Sequence, residues 1–294
     1  MPRLFCFGLG FSALTLARRL RDEGWSIAGT TRTAEKAARL RADGIEVHAF
    51  DRDRPLDAPA AALAGTTHLL SSVPPDDAGD PVLDHHAGDI AAAAGGIAWA
   101  GYLSTTGVYG DRDGGWVDEE AELRPATRRG RRRVEAEEGW CALLRDHGLP
   151  VHLFRLAGIY GPGRNGLVTV REGRARRVVK PGQVFSRIHV EDIATVLRAS
   201  IDRPNPGRAY NLCDDEAAPP QDVIAHACAL LGVEPPPEQP FDRETMSPMA
   251  RSFYAENKRV RNDRIKDELG VRLSYPTYRE GLAALLATDP ALAR

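Results

Sequence analysis

The most constraining feature of this chain lies at its start. An apolar run over residues 3–7 passes without a linker into Gly8-Leu-Gly10-Phe11-Ser12-Ala13 and then into an apolar-periodic stretch from Leu14 to Leu20. Strand, glycine turn and helix in that order are what a dinucleotide pyrophosphate needs. Gly8 would make the tight turn, Gly10 would let the backbone approach the phosphates, and the small Ala13 would let helix and strand pack closely. The first-turn N–H groups then face the anion. The alternative is a merely structural βα turn; the place of the motif, at the end of a strand near the start of the chain, favours the bound dinucleotide. Gly8, Gly10, Phe11, Ser12 and Ala13 are therefore the candidate pyrophosphate contacts.

The pattern continues in kind. Strand candidates fall at 4–7, 26–30, 46–50, 68–72, 98–103 and 151–155, with helical patterns between them at 14–23, 34–42, 82–94 and 131–146. Strands joined by helical crossovers predict an α/β fold with a Rossmann-type, doubly wound parallel sheet, and ligands at the carboxyl ends of its strands. After Arg155 the chain turns to Gly- and Pro-punctuated loops, a helix over 191–201, a strand over 209–212, a proline-rich extended connector over 234–240, and helices over 262–269 and 278–286. The expected organisation is a dinucleotide-binding domain over 1–155. Residues 156–294 form mainly a small C-terminal substrate lobe, with some segments returning to the first domain.

Composition narrows the partners. A formal charge of −2 over 294 residues gives no general attraction to nucleic acid or to an anionic membrane. No apolar run approaches the roughly 18 residues of a membrane span. The first strand begins by residue 3, which leaves no room for a signal peptide, and four widely separated cysteines suggest neither a disulfide framework nor zinc; a reducing cytoplasm fits. The pair His85-His86 does not imply a metal, since adjacent helical residues point about 100° apart; a solvent-facing helix segment is expected there.

Three further segments, Leu103-Ser104-Thr105-Thr-Gly-Val-Tyr109-Gly, Phe154-Arg-Leu-Ala-Gly158-Ile-Tyr160-Gly-Pro-Gly and Ile188-His189-Val-Glu-Asp192-Ile, follow in the order seen in a known family. With them the chain resembles the extended short-chain dehydrogenase/reductases of the NAD-dependent epimerase/dehydratase group, and most closely their atypical members with a G-x-G-x-x-A turn. The resemblance spans nearly the whole chain. It implies an NAD(P) cofactor, a small-molecule substrate, and a homodimer, although the charges on the helix over 131–146 leave a monomer open.

One departure stands out. The family's Tyr-x-x-x-Lys pair, which moves a proton and holds the ribose, falls on Arg129 and Arg133, and no Tyr or Lys occurs between Tyr109 and Tyr160. A guanidinium is always protonated and donates only, so it cannot serve as a general acid or base near neutral pH. Arg133 is expected to hold a ribose or phosphate and Arg129 to stabilise negative charge; alternatively both belong to a solvated basic run paired with Glu135, Glu137 and Glu138. By resemblance Thr105 holds the substrate oxygen, and Tyr109 is a substitute phenol or a packing residue. Ser71, Ser72, Val73 and Ser104 would line the nicotinamide half. Gly158 stands where sugar-nucleotide epimerases place an asparagine.

Cofactor choice is read from Gly29-Thr-Thr31-Arg32-Thr33, which lacks the acid that binds the ribose of NAD. Arg32 could meet a 2′-phosphate with Thr31 and Thr33 as added donors, so NADP is expected, with NAD as the alternative. Asp51 resembles the acid that contacts adenine. The expected activity is NADP-dependent oxidoreduction of a small, anionic substrate. A non-catalytic NADP(H) sensor is the alternative, and a nucleotide-sugar epimerase or dehydratase is less favoured.

Overall fold

A computed structural model describes residues 1–242, 244–246, 251 and 253–289. The last five positions of the expected C-terminal lobe lie outside the described residues. From the N-terminus run β1 (Arg3–Phe7), α1 (Phe11–Asp22), β2 (Ser26–Thr31), α2 (Ala34–Ala42), β3 (Glu46–Ala49), α3 (Pro59–Leu63) and β4 (His68–Ser71). Next come α4 (Pro81–Ala93), β5 (Trp99–Thr105), β6 (Trp116–Val117), α5 (Arg128–His147), β7 (Val151–Leu156), β8 (Gly158–Tyr160) and α6 (Gly166–Arg171). β9 (Arg177–Val179), β10 (Arg187–His189), α7 (Val190–Asp202), β11 (Ala209–Leu212) and α8 (Pro220–Leu231) follow. The chain continues through β12 (Glu238–Pro240), β13 (Arg259–Val260), α9 (Asp263–Asp267) and α10 (Tyr278–Thr288).

Seven strands form one parallel sheet in the order β11-β7-β5-β4-β1-β2-β3. The α/β, doubly wound architecture expected from the sequence is therefore the fold. The order reverses direction beside β1, which places the switch point between β1 and β4; both pair in parallel register, Phe7 opposite Ser71. Ligands of such sheets lie at this point, outside the carboxyl ends of the strands.

The chain divides into two compact units. The first comprises Met1–Thr105, Arg128–Arg155 and Ile193–Tyr210. Its core packs Phe5, Phe7, Leu69 and Tyr102 from the sheet against Val82 and Ile90 of α4 and Ala136, Trp140 and Leu143 of α5. Trp140 stacks on Tyr102 at 5.6 Å and donates its indole N–H to Asp80 at 3.0 Å. Asp80 also caps α4 by accepting from the Val82 amide at 2.8 Å, so one buried carboxylate joins two helices. A buried aromatic of this kind is worth roughly 3–5 kcal/mol against alanine.

The second unit comprises Thr106–Thr127, Leu156–Asp192 and Asn211–Arg294. Three two-stranded parallel pairs, β10 with β8, β12 with β9 and β13 with β6, accompany a core of Tyr160, Leu167, Ala227, Tyr278 and Leu282. At Gly281 a Cβ would come within 2.0 Å of the Tyr160 hydroxyl, so only glycine allows that approach. A reciprocal cap between Thr277 and Glu280 starts α10.

Element boundaries depart from expectation in informative places. Helix α1 begins at Phe11 rather than 14, because Gly10 is itself the N-cap and the turn feeds the helix directly. Helix α5 starts at Arg128 rather than 131, which brings the arginine run into its first turns. Helices α6 and α8 have no counterpart in the sequence reading; α6 packs on α8, and tertiary contact selects these short segments. His86 corrects another expectation. It faces inward, stacked on Phe7 at 5.8 Å, accepts from the Leu56 amide at 3.1 Å and bonds Asp89 through Nδ1, while His85 is exposed.

Candidate cofactor site

The glycine turn is built by β2 as much as by β1. Gly8 sits at φ +82°, a left-handed conformation that costs other residues free energy, and its amide donates to Thr30 Oγ1 at 2.8 Å. The Leu9 amide donates to the Thr30 carbonyl at 2.8 Å, and Ser72 Oγ, from the end of β4, donates to the Gly8 carbonyl. Three strands thus hold one turn. At Gly29 of β2 a Cβ would lie 2.6 Å from the Cys6 carbonyl oxygen, so β1 and β2 pack closely only with glycine there. Thr30 and Gly29 escaped the sequence reading, although their place directly before Thr31 and Arg32 is a signal for them.

Gly10 is extended and carries no side-chain cap, and the first turn of α1 holds no acid. A Cβ added to Gly10 would have only Ser72 Oγ, at 3.7 Å, within 4 Å. The helix end therefore presents backbone donors and the positive end of its dipole with no carboxylate in competition. Ser12 and Ala13 turn inward, and Phe11 is half-buried. This arrangement suits a pyrophosphate.

Past the turn, Thr31 closes β2, Arg32 is exposed, and Thr33 caps α2 by accepting from the Lys36 amide at 3.4 Å. Desolvation lowers the Lys36 pKa, and the cations Arg39, Arg32 and Arg18 lower it further. Arg32 and Lys36 thus act within one positive field. Asp51 accepts from Arg54 at 2.9 Å and from the Asp53 amide at 3.1 Å, while Arg54 also donates to the Arg32 carbonyl at 3.1 Å. Its carboxylate is spent on closing the loop after β3 and anchoring Arg54. Lys36 and Arg54 are the cations that sequence reasoning passed over.

The β5–α5 end is arranged differently. Ser71 is buried and Val73 leans on the glycine turn, its Cγ2 being 3.1 Å from where a Gly8 Cβ would stand. Ser104 is buried and donates to Glu137 at 2.5 Å; Glu137 accepts from Arg155 at 2.8 Å, with both partners sequestered from solvent. Thr105, the last residue of β5, is half-buried. Arg133 turns inward, donates to the Leu103 carbonyl, lies 3.4 Å from the Tyr102 hydroxyl and sits over the Tyr102 ring. Burial pushes the Tyr102 phenol well above its usual range, so it stays protonated. Arg129 is exposed on the first turn of α5.

Two arginines of the run and one glutamate of the solvated alternative have other partners. Glu137 goes to Arg155 and Ser104, whereas Arg128 and Arg132 both meet Asp77, on the loop after β4. Tyr109 belongs to the second unit, where it is fully buried and donates to Asn211 at 2.7 Å. That is a packing geometry. Also in the second unit, Asp192 accepts from the amides of Ser274 and Tyr275, at 2.7 and 3.0 Å, and the His189 ring lies 4.1 Å from that of Tyr275, tilted by 49°. Lys258 donates to the Gly110 carbonyl at 2.8 Å and pairs with Glu256. Among the described residues no group of His, Cys, Asp or Glu is placed to hold a metal, and no helix is long and apolar enough to cross a membrane.

A parallel switch-point sheet with a glycine turn and an open helix end defines a protein of the extended short-chain dehydrogenase/reductase fold. Its structural neighbours are NAD-dependent epimerase/dehydratase proteins. One is a dTDP-glucose 4,6-dehydratase from Bacillus anthracis in complex with NAD, 14% identical with a TM-score of 0.76, over 98% of this chain and 96% of that one. A conserved protein of unknown function from Silicibacter pomeroyi is far more similar, 55% identical with a TM-score of 0.91, over 98% and 99% of the two chains. Protein YeeZ of Escherichia coli strain K12 is 30% identical over 94% of this chain and 97% of its own length. The chain belongs to the family of protein YeeZ. No protein-family model matches it.

Proposed function

We propose that this protein binds NADP(H) in the first unit and transfers a hydride to or from a small, oxygenated, anionic substrate. The observation that carries the cofactor reading is the uncapped α1 end behind a three-strand glycine turn, with Arg32 and Lys36 at the adenosine side. An acid at the end of β2 would select NAD; a guanidinium and an ammonium there suit a 2′-phosphate instead. The nicotinamide supplies the hydride when bound. Thr105 holds the substrate oxygen, Arg129 stabilises developing negative charge, and the proton comes from water or the substrate, because Tyr109 is packed away on Asn211. The second unit would select the substrate.

The test is a titration of dinucleotide-free protein with NADPH and NADH, following nicotinamide fluorescence, repeated with Arg32→Ala. Saturable binding that prefers NADPH, weakened at least tenfold in the variant, is the expected result. Failure of both dinucleotides to bind overturns the reading. A second reading, a non-catalytic NADP(H) sensor, is favoured by Arg133: its guanidinium is engaged on the Leu103 carbonyl, where a catalytic lysine would serve the cofactor. Tight NADPH binding with no hydride exchange across a panel of carbonyl acids would support the sensor.

A further inference from the structure

Residues 72–80 leave β4 beside the glycine turn and are tied down at two ends by arginines from different elements. Ser72 roots the segment on the Gly8 carbonyl, and Pro74-Pro75 restrict its path. A tight turn follows: the Asp76 amide donates to the Gly79 carbonyl at 2.9 Å, and Asp76 Oδ1 accepts from the Ala78 amide at 2.9 Å. Arg52 grips this turn from the β3 side. It gives two N–H bonds to Asp76, at 2.7 and 2.8 Å, one to Asp84 at 2.5 Å and one to the Gly79 carbonyl at 2.9 Å. Asp77, the next residue, meets Arg128 at 3.1 Å and Arg132, both on α5. Adjacent carboxylates are thus held by different elements.

The two attachments differ in strength. The Arg52 end is a fork with four acceptors, its side chain 27% exposed, whereas the α5 end is a single carboxylate, Asp77, 70% exposed and shared between Arg128, 69% exposed, and Arg132, 21% exposed. Exposed ion pairs are weak and screened by salt. The α5 end therefore opens first.

Resting on the NADP(H) reading above, we infer that residues 72–80 form a strap beside the bound dinucleotide, and that Arg132, acting through Asp77, is a positioning residue that sets the rate of cofactor release. Arg128 and Arg132, each one residue before a position of the family's proton-transfer pair, hold the cofactor loop.

Stopped-flow release of NADPH into excess NADP+, at about 20 mM and about 500 mM NaCl, tests this. At low salt Asp77→Asn and Arg132→Gln should each release NADPH about three- to tenfold faster than the parent, as expected for loss of an ion-pair network. The double variant should be no faster than either single one, and high salt should shrink the difference. Asp77→Glu should restore slow release. Asp77→Asn should barely move the melting temperature, since the Asp77 carboxylate is itself 70% exposed; a purely structural role would move stability and leave release alone. Release within twofold of the parent in both single variants, or multiplicative effects in the double, overturns the strap while leaving the cofactor reading intact. Absence of any dinucleotide binding overturns both.

Discussion

The two ends of the first unit's strand-end crevice teach different lessons. At the glycine turn the side chains withdraw: Thr30 and Ser72 bond to backbone, α1 is uncapped, and the nearby charges Arg32 and Lys36 are left to each other's repulsion. At the β5–α5 end the polar groups consume one another. Ser104, Glu137 and Arg155 form a buried hydrogen-bonded set, and Arg133 is engaged by Leu103 and Tyr102. One end leaves the backbone donors of the α1 terminus uncapped by side chains, and the other holds β5 and α5 together. The difference lies in where the partners come from, since a site for a ligand must leave donors unspent and a structural network must not.

The contrast is most easily broken at Glu137. Glu137→Ala removes the carboxylate that faces buried Arg155, and an equilibrium urea denaturation should report a loss of about 3–5 kcal/mol. A loss under 1 kcal/mol would mean that the network is ornamental.

The second unit supplies a counter-example of a buried carboxylate. Burial raises the Asp214 pKa to about 8, outweighing the nearby Arg187 cation. The folded form therefore keeps its proton where the unfolded chain, near pKa 4, has lost it. Stability from this group is fully present below pH 4 and falls as pH rises towards 8, by roughly 1.4 kcal/mol per pH unit. Asp214→Asn should match the parent near pH 4 and exceed it in melting temperature at pH 8.5. Parallel pH profiles for the two proteins would refute this.

Gly8→Ala sharpens the comparison from the open end. The φ of +82° and the Ser72 hydroxyl 3.0 Å from the new Cβ should cost about 1–3 kcal/mol of stability and weaken NADPH binding together. The smallest effects separate the two arginines of the α5 register. Arg133→Met should lower stability by about 1–2 kcal/mol, through loss of its buried hydrogen bonds, yet change the NADPH dissociation constant less than twofold. Arg129→Ala, exposed, should alter stability by less than about 0.5 kcal/mol. A tenfold loss of NADPH affinity in Arg133→Met would return that residue to the cofactor.

Much of this was legible in the chain. Helix α2 and strand β11 lie where hydrophobic periodicity places them, and the sheet follows from alternating strands and helices. The glycine turn was legible because its rule is local: φ, Cβ size and sequence order decide it. Arg133 was not, because a helical register gives spacing but not the partner that a side chain meets; the Leu103 carbonyl lies 30 residues earlier in sequence. Nor was His86, whose inward face depends on the rings of Phe7 and Phe50.

The sequence by itself determined the parallel α/β sheet, the anion-ready turn after β1 and the absence of a Tyr-x-x-x-Lys pair, all of which rest on residue type and short-range order. Only the tertiary structure decided that Thr30 and Ser72 hold that turn, that Arg128 and Arg132 meet Asp77 while Arg133 meets the β5 backbone, and that Tyr109 is packed on Asn211. The physical reason is range: backbone conformation is set by neighbours along the chain, whereas the state of a charge or hydroxyl is set by whatever folding brings within about 3 Å of it.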